Sequence, residues 1–86
     1  MSDAYDHRAI LSFPEPDRRR ARAVHEAVRV EVGEIDDDRS TAAATRDGAT
    51  VEVTVRARDL VALRAGVNTW TRLVDAAETV AAAADR

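Results

Sequence analysis

Two periods divide the chain. From His7 to Phe13, residues His7, Ala9, Leu11 and Phe13 alternate with Arg8, Ile10 and Ser12, so a strand would show the first set on one face. Met1 to Asp6 is a polar leader in which Tyr5 is a candidate strand start. Phe13-Pro14-Glu15-Pro16-Asp17 ends the strand, because neither proline can donate to a ladder, and Pro16 suits the first turn of a helix. The spacing then becomes helical: Ala21, Val24, Val28 and Val32 fall on one stripe of a helix expected from about Pro16 to Val30.

Gly33-Glu34-Ile35-Asp36-Asp37-Asp38 reads as a solvated acidic loop. Its acids lack the alternate spacing and the distal Glu of a calcium loop. Ser40 to Arg46 and Ala49 to Ala57 flank Asp47-Gly48, a hairpin signal for a type I′ turn, in which both central residues take positive φ. In the third strand Val51, Val53, Val55 and Ala57 alternate with Thr50, Glu52, Thr54 and Arg56, giving one apolar and one polar sheet face. Asp59 is a natural N-cap for a second helix reaching about Ala83. Its inward stripe is Leu60, Leu63, Val67, Trp70, Val74, Ala77 and Ala81, and Trp70 is expected to be buried. Gly66, Leu73, Val80 and Ala84 widen the apolar arc to nearly half the circumference. One sheet face and one neighbouring helix do not cover so wide an arc, and the excess, with Leu73 and Val80 facing outward, predicts a surface for another chain.

The fold class that follows is α+β, ordered β-α-β-β-α, with a three-stranded antiparallel sheet and both helices packed on one face. At 86 residues this is a single domain spanning 1–86, with a polar leader at 1–6 and an alanine-rich helix end at 81–86. One Phe, one Tyr and one Trp leave the core poor in large side chains, so association with a partner is expected to contribute to stability.

Chemistry is sparse. His7 and His25 lie on different elements, no Cys accompanies them, and the three glycines are isolated, so neither a metal site nor a phosphate-cradling loop is expected. No cofactor and no catalytic group are assigned, and no pair of acids stands out for hydrolysis. No apolar run approaches the ~20 residues of a membrane span, there is no secretory segment, and the expected location is cytoplasmic. Every cation is Arg, and Asp outnumbers Glu in a chain of net charge −3; this combination suggests a salt-adapted proteome. Two basic stripes remain. Arg18, Arg22, His25 and Arg29 recur along one exposed face of the first helix, where Arg18, Arg22 and Arg29 offer a weak RNA contact. On the second helix Arg64, Asn68 and Arg72 lie along one line, with Asp75 nearby and Glu78 one turn on; such forks bind phosphates or carboxylates.

Asp59 closing a strand, Leu63-Arg64-Ala65 after it, and then Asn68-Thr69 resemble the second helix of the Pcc-type small subunit of the KEOPS (EKC) complex. The resemblance extends from Ala9-Ile10-Leu11-Ser12-Phe13 to Leu73-Val74, in the same order of strands and helices. It implies a non-catalytic protein, from a halophilic archaeon given the composition, that forms a homodimer. In that family the dimer holds an ATPase-fold catalytic subunit, which makes threonylcarbamoyl-adenosine in tRNA. Arg64 and Asn68 match the family pattern, and with Leu73 and Val80 of the apolar arc and Arg72 of the arginine line they are expected to meet that catalytic subunit, with tRNA contact indirect or weak. A freestanding small RNA-binding module is the alternative; the net charge and the lack of stacking aromatics on the strands weigh against it.

Overall fold

The computed structural model describes residues 5–34 and 39–85. Five elements follow in the expected order: β1 (His7–Pro14), α1 (Arg18–Arg29), β2 (Ser40–Asp47), β3 (Thr50–Ala57) and α2 (Leu60–Ala84). The strands form one antiparallel sheet ordered β1-β3-β2. Placing β3 centrally puts the most β-branched strand where both neighbours pair with it. Across the sheet Ala9, Val55 and Ala42 form one row, and Leu11, Val53 and Ala44 the next. These rows lie on the face covered by both helices, and Val51, Val53 and Val55 are completely buried there with Val24, Val28 and Val74 of the helices. Trp70 is buried at 3% exposure and belongs to the same cluster, against which Leu11, Phe13, Leu63 and Leu73 pack.

Both helices start at an aspartate. Asp17, in extended backbone, accepts a hydrogen bond from the Arg20 amide at 2.8 Å, and Asp59 does the same for Ala62 at 2.8 Å. Each carboxylate thus satisfies an amide that the helix itself leaves free. Asp17 rather than a proline sets the start of α1, so Pro16 stands before the cap and not in the first turn, contrary to expectation. Tyr5 likewise precedes the first strand, which starts at His7.

The hairpin between β2 and β3 also differs from its expected form. Asp47 still pairs with Thr50, leaving Gly48 and Ala49 as the two turn residues, and Gly48 has φ +61 while no other residue of the turn has positive φ. Positive φ at the first central position alone is the type II′ pattern, not type I′, and only glycine enters it without strain. Of the acidic loop, Ile35 to Asp38 lie outside the described residues. Its start, Gly33, takes φ +89.

Leu60 is the clearest departure within α2. Its phase predicts an inward position, yet it is 66% exposed, while Ala62 beside it is buried and Leu63 packs on the core. Two turns later the helix lies hard against the sheet. A Cβ built on Gly66 would come within 2.7 Å of Val55 Cγ1, closer than any real contact. Val55 is buried and cannot swing aside, so Gly66 sets how near α2 lies to β3.

Gly66→Ala therefore gains helix propensity of about 1 kcal/mol but incurs an overpacking penalty of about 1–3 kcal/mol. We expect net destabilisation of about 1 kcal/mol by urea unfolding. In a Val55→Ala background, which removes the clashing methyl, the same substitution should be neutral or stabilising; equal effects in both backgrounds would contradict this packing.

Candidate protein-docking surface

α1 and α2 run antiparallel over the sheet, and their outward sides are what the molecule offers beyond its own core. Val61 and Val80 of α2 are 73% and 69% exposed, and with Leu60 they are the large apolar side chains that α2 leaves to solvent. They belong to two separate grooves. One, of about 220 Å³, runs between the helices and is lined by Ala27 and Val28 of α1, by Glu31 just past its end, and by Leu73, Ala76, Ala77 and Val80 of α2. The other, of about 360 Å³, lies along the first turns of α2 between Leu60, Val61, Arg64, Ala65 and Asn68. Both are shallow and lined largely by small or aliphatic side chains, a shape suited to an apolar helix rather than to an enclosed small molecule.

The residues assigned to partner binding fall out unequally. Arg64, Asn68 and Arg72 are exposed on α2, and Arg64 and Asn68 share one groove. Val80 is exposed as expected. Leu73 is only half-buried and packs on the core while lining the inter-helix groove, so its side chain serves both surfaces. Leu60 and Val61 were not assigned to this surface.

On α1, Arg18, Arg22 and Arg29 are exposed, with Arg22 in a long 3.5 Å contact to Glu26. His25 is not on that exposed face. Its ring is half-buried, and Nε2 donates to the Ala44 carbonyl at 3.2 Å, tying α1 to β2. Glu78 is likewise not on the line of Arg64 and Arg72, since it turns under α2 toward Glu15 in the β1–α1 connection.

That acid pair was not anticipated, because 63 residues separate Glu15 from Glu78 and only the fold joins them. The Glu15 Oε2 atom is shut off from solvent without a hydrogen-bond partner. Burial pushes the Glu15 carboxyl up to about 7; contact with the Glu78 carboxyl adds to the rise through hydrogen bonding and like charge, and Arg20 opposes it. At the other end of the molecule Asp59 is held below its usual value, first by the Ala62 amide and then by Arg39, whose Nη2 lies 3.2 Å from it. Between α1 and the end of α2, Arg20 and Arg19 reach Asp85 at 2.8 and 3.1 Å. Each of these charges has the wrong sign for its own helix end, and the antiparallel packing brings the opposite charges together. Among the described residues, no three His, Cys, Asp or Glu side chains converge on a point that could hold a metal, and no helix is long and apolar enough to cross a membrane.

Residues 8–82 match the family described as "Transcription factor Pcc1". The chain belongs to the Pcc1 family. Among solved structures, a chain of one described as "Crystal structure of binary complex Gon7-Pcc1" superposes with a TM-score of 0.65 at 20% identity, covering 93% of each chain. At that identity the likeness establishes the shared fold. No curated protein matches. The Pcc1 match spans every element from β1 to the penultimate turn of α2, so both helical grooves lie inside the family domain.

For this Pcc1-family chain the Glu15–Glu78 contact gives a pH dependence of definite sign. Because the folded-state pKa of Glu15 is raised from 4.5 to about 7, the folded protein binds the extra proton between those values, and stability falls as pH rises across that window. Glu15→Gln, which mimics the protonated acid, should match the parent in thermal melts near pH 4.5 and melt a few degrees higher at pH 8. An offset that is the same at both pH values would contradict the assignment.

Proposed function

We propose that the protein is a non-catalytic, dimerising scaffold subunit of the KEOPS complex. It holds the ATPase-fold catalytic subunit and so supports threonylcarbamoyl-adenosine modification of tRNA in the cytoplasm. The observation that carries this is an unpaired helix layer on a Pcc1-family domain: two helices share a solvent-facing apolar groove that their own sheet cannot fill. The groove fits a helix of the catalytic subunit's amino-terminal lobe, with Val80 and Leu73 as its apolar anchors. Arg64, Asn68 and Arg72 supply a polar rim along the same helix. The arginine-only cation set and the excess of aspartate support a salt-adapted archaeal origin, in which contact-range apolar packing outlasts long-range charge because the Debye length falls to about 3 Å in molar salt.

Val80 is the clean probe of this reading, because it touches little of the core; Leu73→Asp would also disturb packing against the core cluster. Val80→Asp should leave the melt of the isolated protein unchanged within a degree or two. It should weaken binding to the catalytic subunit by about 100-fold, the effect of placing an unpaired charge worth about 3 kcal/mol in a desolvated contact. Arg64→Ala or Arg72→Ala should weaken binding by about 10-fold or less. Light scattering of the parent complex should give a mass containing two copies of this chain. Undiminished binding by folded Val80→Asp would place the docking site elsewhere, and a complex with one copy would contradict the dimer.

A further inference from the structure

Register places Arg46 where no apolar side chain is needed. It pairs with Val51 in the row that also holds Phe13, so it emerges on the helix-bearing face of the sheet, but at the hairpin end, beside the first turns of α1. There it meets Arg18, Arg19 and Arg22. These four arginines, and no other residue type, line an open cleft of about 380 Å³. In a chain of net charge −3, this is a local concentration of one sign contributed by two elements far apart in sequence.

Internal contacts do not account for the cluster. Arg20, the next residue along, is explained by its paired contacts to Asp85. Arg19 shares that carboxylate but remains 82% exposed, the Arg22 contact with Glu26 is long and solvent-exposed, and Arg46 uses one Nη to donate to the Gly48 carbonyl at 2.9 Å. That bond anchors the Arg46 stem and leaves most of its five N–H groups for a ligand. Arg18 and Arg19 moreover occupy the first turn of α1, where the helix favours acids and none is present. Four guanidinium groups around one open cleft are an arrangement that an anion would stabilise.

We propose that this cleft binds the phosphodiester backbone of RNA. Guanidinium forks converging from two directions suit phosphate oxygens, and such contacts position a backbone without reading sequence. An acidic protein partner is the weaker fit, because stable protein contacts centre on apolar or aromatic anchors and the cleft has none. The site is distinct from the apolar groove between the helices, and relative to the earlier expectation it replaces Arg29, at the far end of α1, with Arg19 and Arg46. The choice of RNA rests on the scaffold reading, which places the protein in a tRNA-modifying assembly.

The test measures binding of a fluorescent, unmodified tRNA transcript to the full chain between 0.1 and 0.4 M KCl. It compares the parent, Arg18→Gln/Arg22→Gln/Arg46→Gln, and a control, Arg8→Gln/Arg29→Gln, that removes two arginines from outside the cleft. A site neutralising three phosphates loses about 40-fold in affinity over this fourfold salt range. The parent and the control should show that loss, while the triple variant binds at least about 10-fold more weakly at 0.1 M and with a nearly flat salt response. Circular dichroism melts should place the triple variant at or above the parent, since it loses like-charge repulsion. Equal weakening by the control, an unchanged triple variant, or no RNA binding by the parent at 0.1 M would overturn the assignment. So would displacement of the RNA by polyglutamate as effectively as by unlabelled tRNA. Binding to the catalytic subunit is measured in parallel: its retention by the triple variant while RNA binding is lost separates this site from the docking groove, and loss of docking in Val80→Asp alone leaves the cleft untouched.

Discussion

Val51, Val53 and Val55 of β3 must be covered, and their burial organises the molecule. Because β3 pairs on both sides, its apolar row is flanked by Ala9 and Leu11 on one strand and by Ala42 and Ala44 on the other, and this single face is wide enough for two helices. The alanines of β2 let α1 settle near the sheet, with His25 anchored on the Ala44 carbonyl. Gly66 does the same for α2 over Val55. Close approach compensates for a core without large side chains: Trp70 is the one bulky aromatic fully inside it, and contact quality rather than buried area per residue has to supply cohesion.

The geometry of that layer accounts for what lies on the surface. A helix of 25 residues is about 37 Å long, whereas a strand of eight spans about 27 Å, so α2 cannot be covered along its whole length. Its outward side carries Leu60 and Val61 near one end and Val80 toward the other, while Ala62 and Ala81 beside them are buried. At the hairpin end, α1 begins where α2 finishes, which brings Arg19 and Arg20 to Asp85, Glu15 to Glu78, and Arg46 to the arginines of α1. The contacts between charged residues remote in sequence therefore include a group at this end, and the apolar groove runs along the side.

Much of this was legible in the sequence because it depends on local period. The alternation of β1 and β3, the cap at Asp59, and the burial of Val24, Val28, Trp70 and Val74 follow from spacing alone. What was not legible depends on distance. Leu60 lies at the rim of the inward stripe by phase, and phase does not tell whether a rim position is covered. His25 shares the angular position of Arg22 closely enough to look exposed, and only the small side chains of β2 bring its ring onto a backbone carbonyl. Glu15 with Glu78, and Arg46 with Arg18, are encounters between elements remote in sequence. The type II′ turn differs from the expected type by one residue of register, a shift that the Asp-Gly dipeptide does not resolve.

Under the proposed function, the outward side of the helix pair, and not the sheet, receives the catalytic subunit. Hydrogen–deuterium exchange of the full chain, alone and with that subunit, tests this most directly, since amides in a covered helix face slow while uncovered ones do not. Docking there gives new protection over 24–31 and 73–84, the segments that line the groove, with little change in β1. Protection confined to the strands, with these helix segments exchanging as in the free protein, would contradict it.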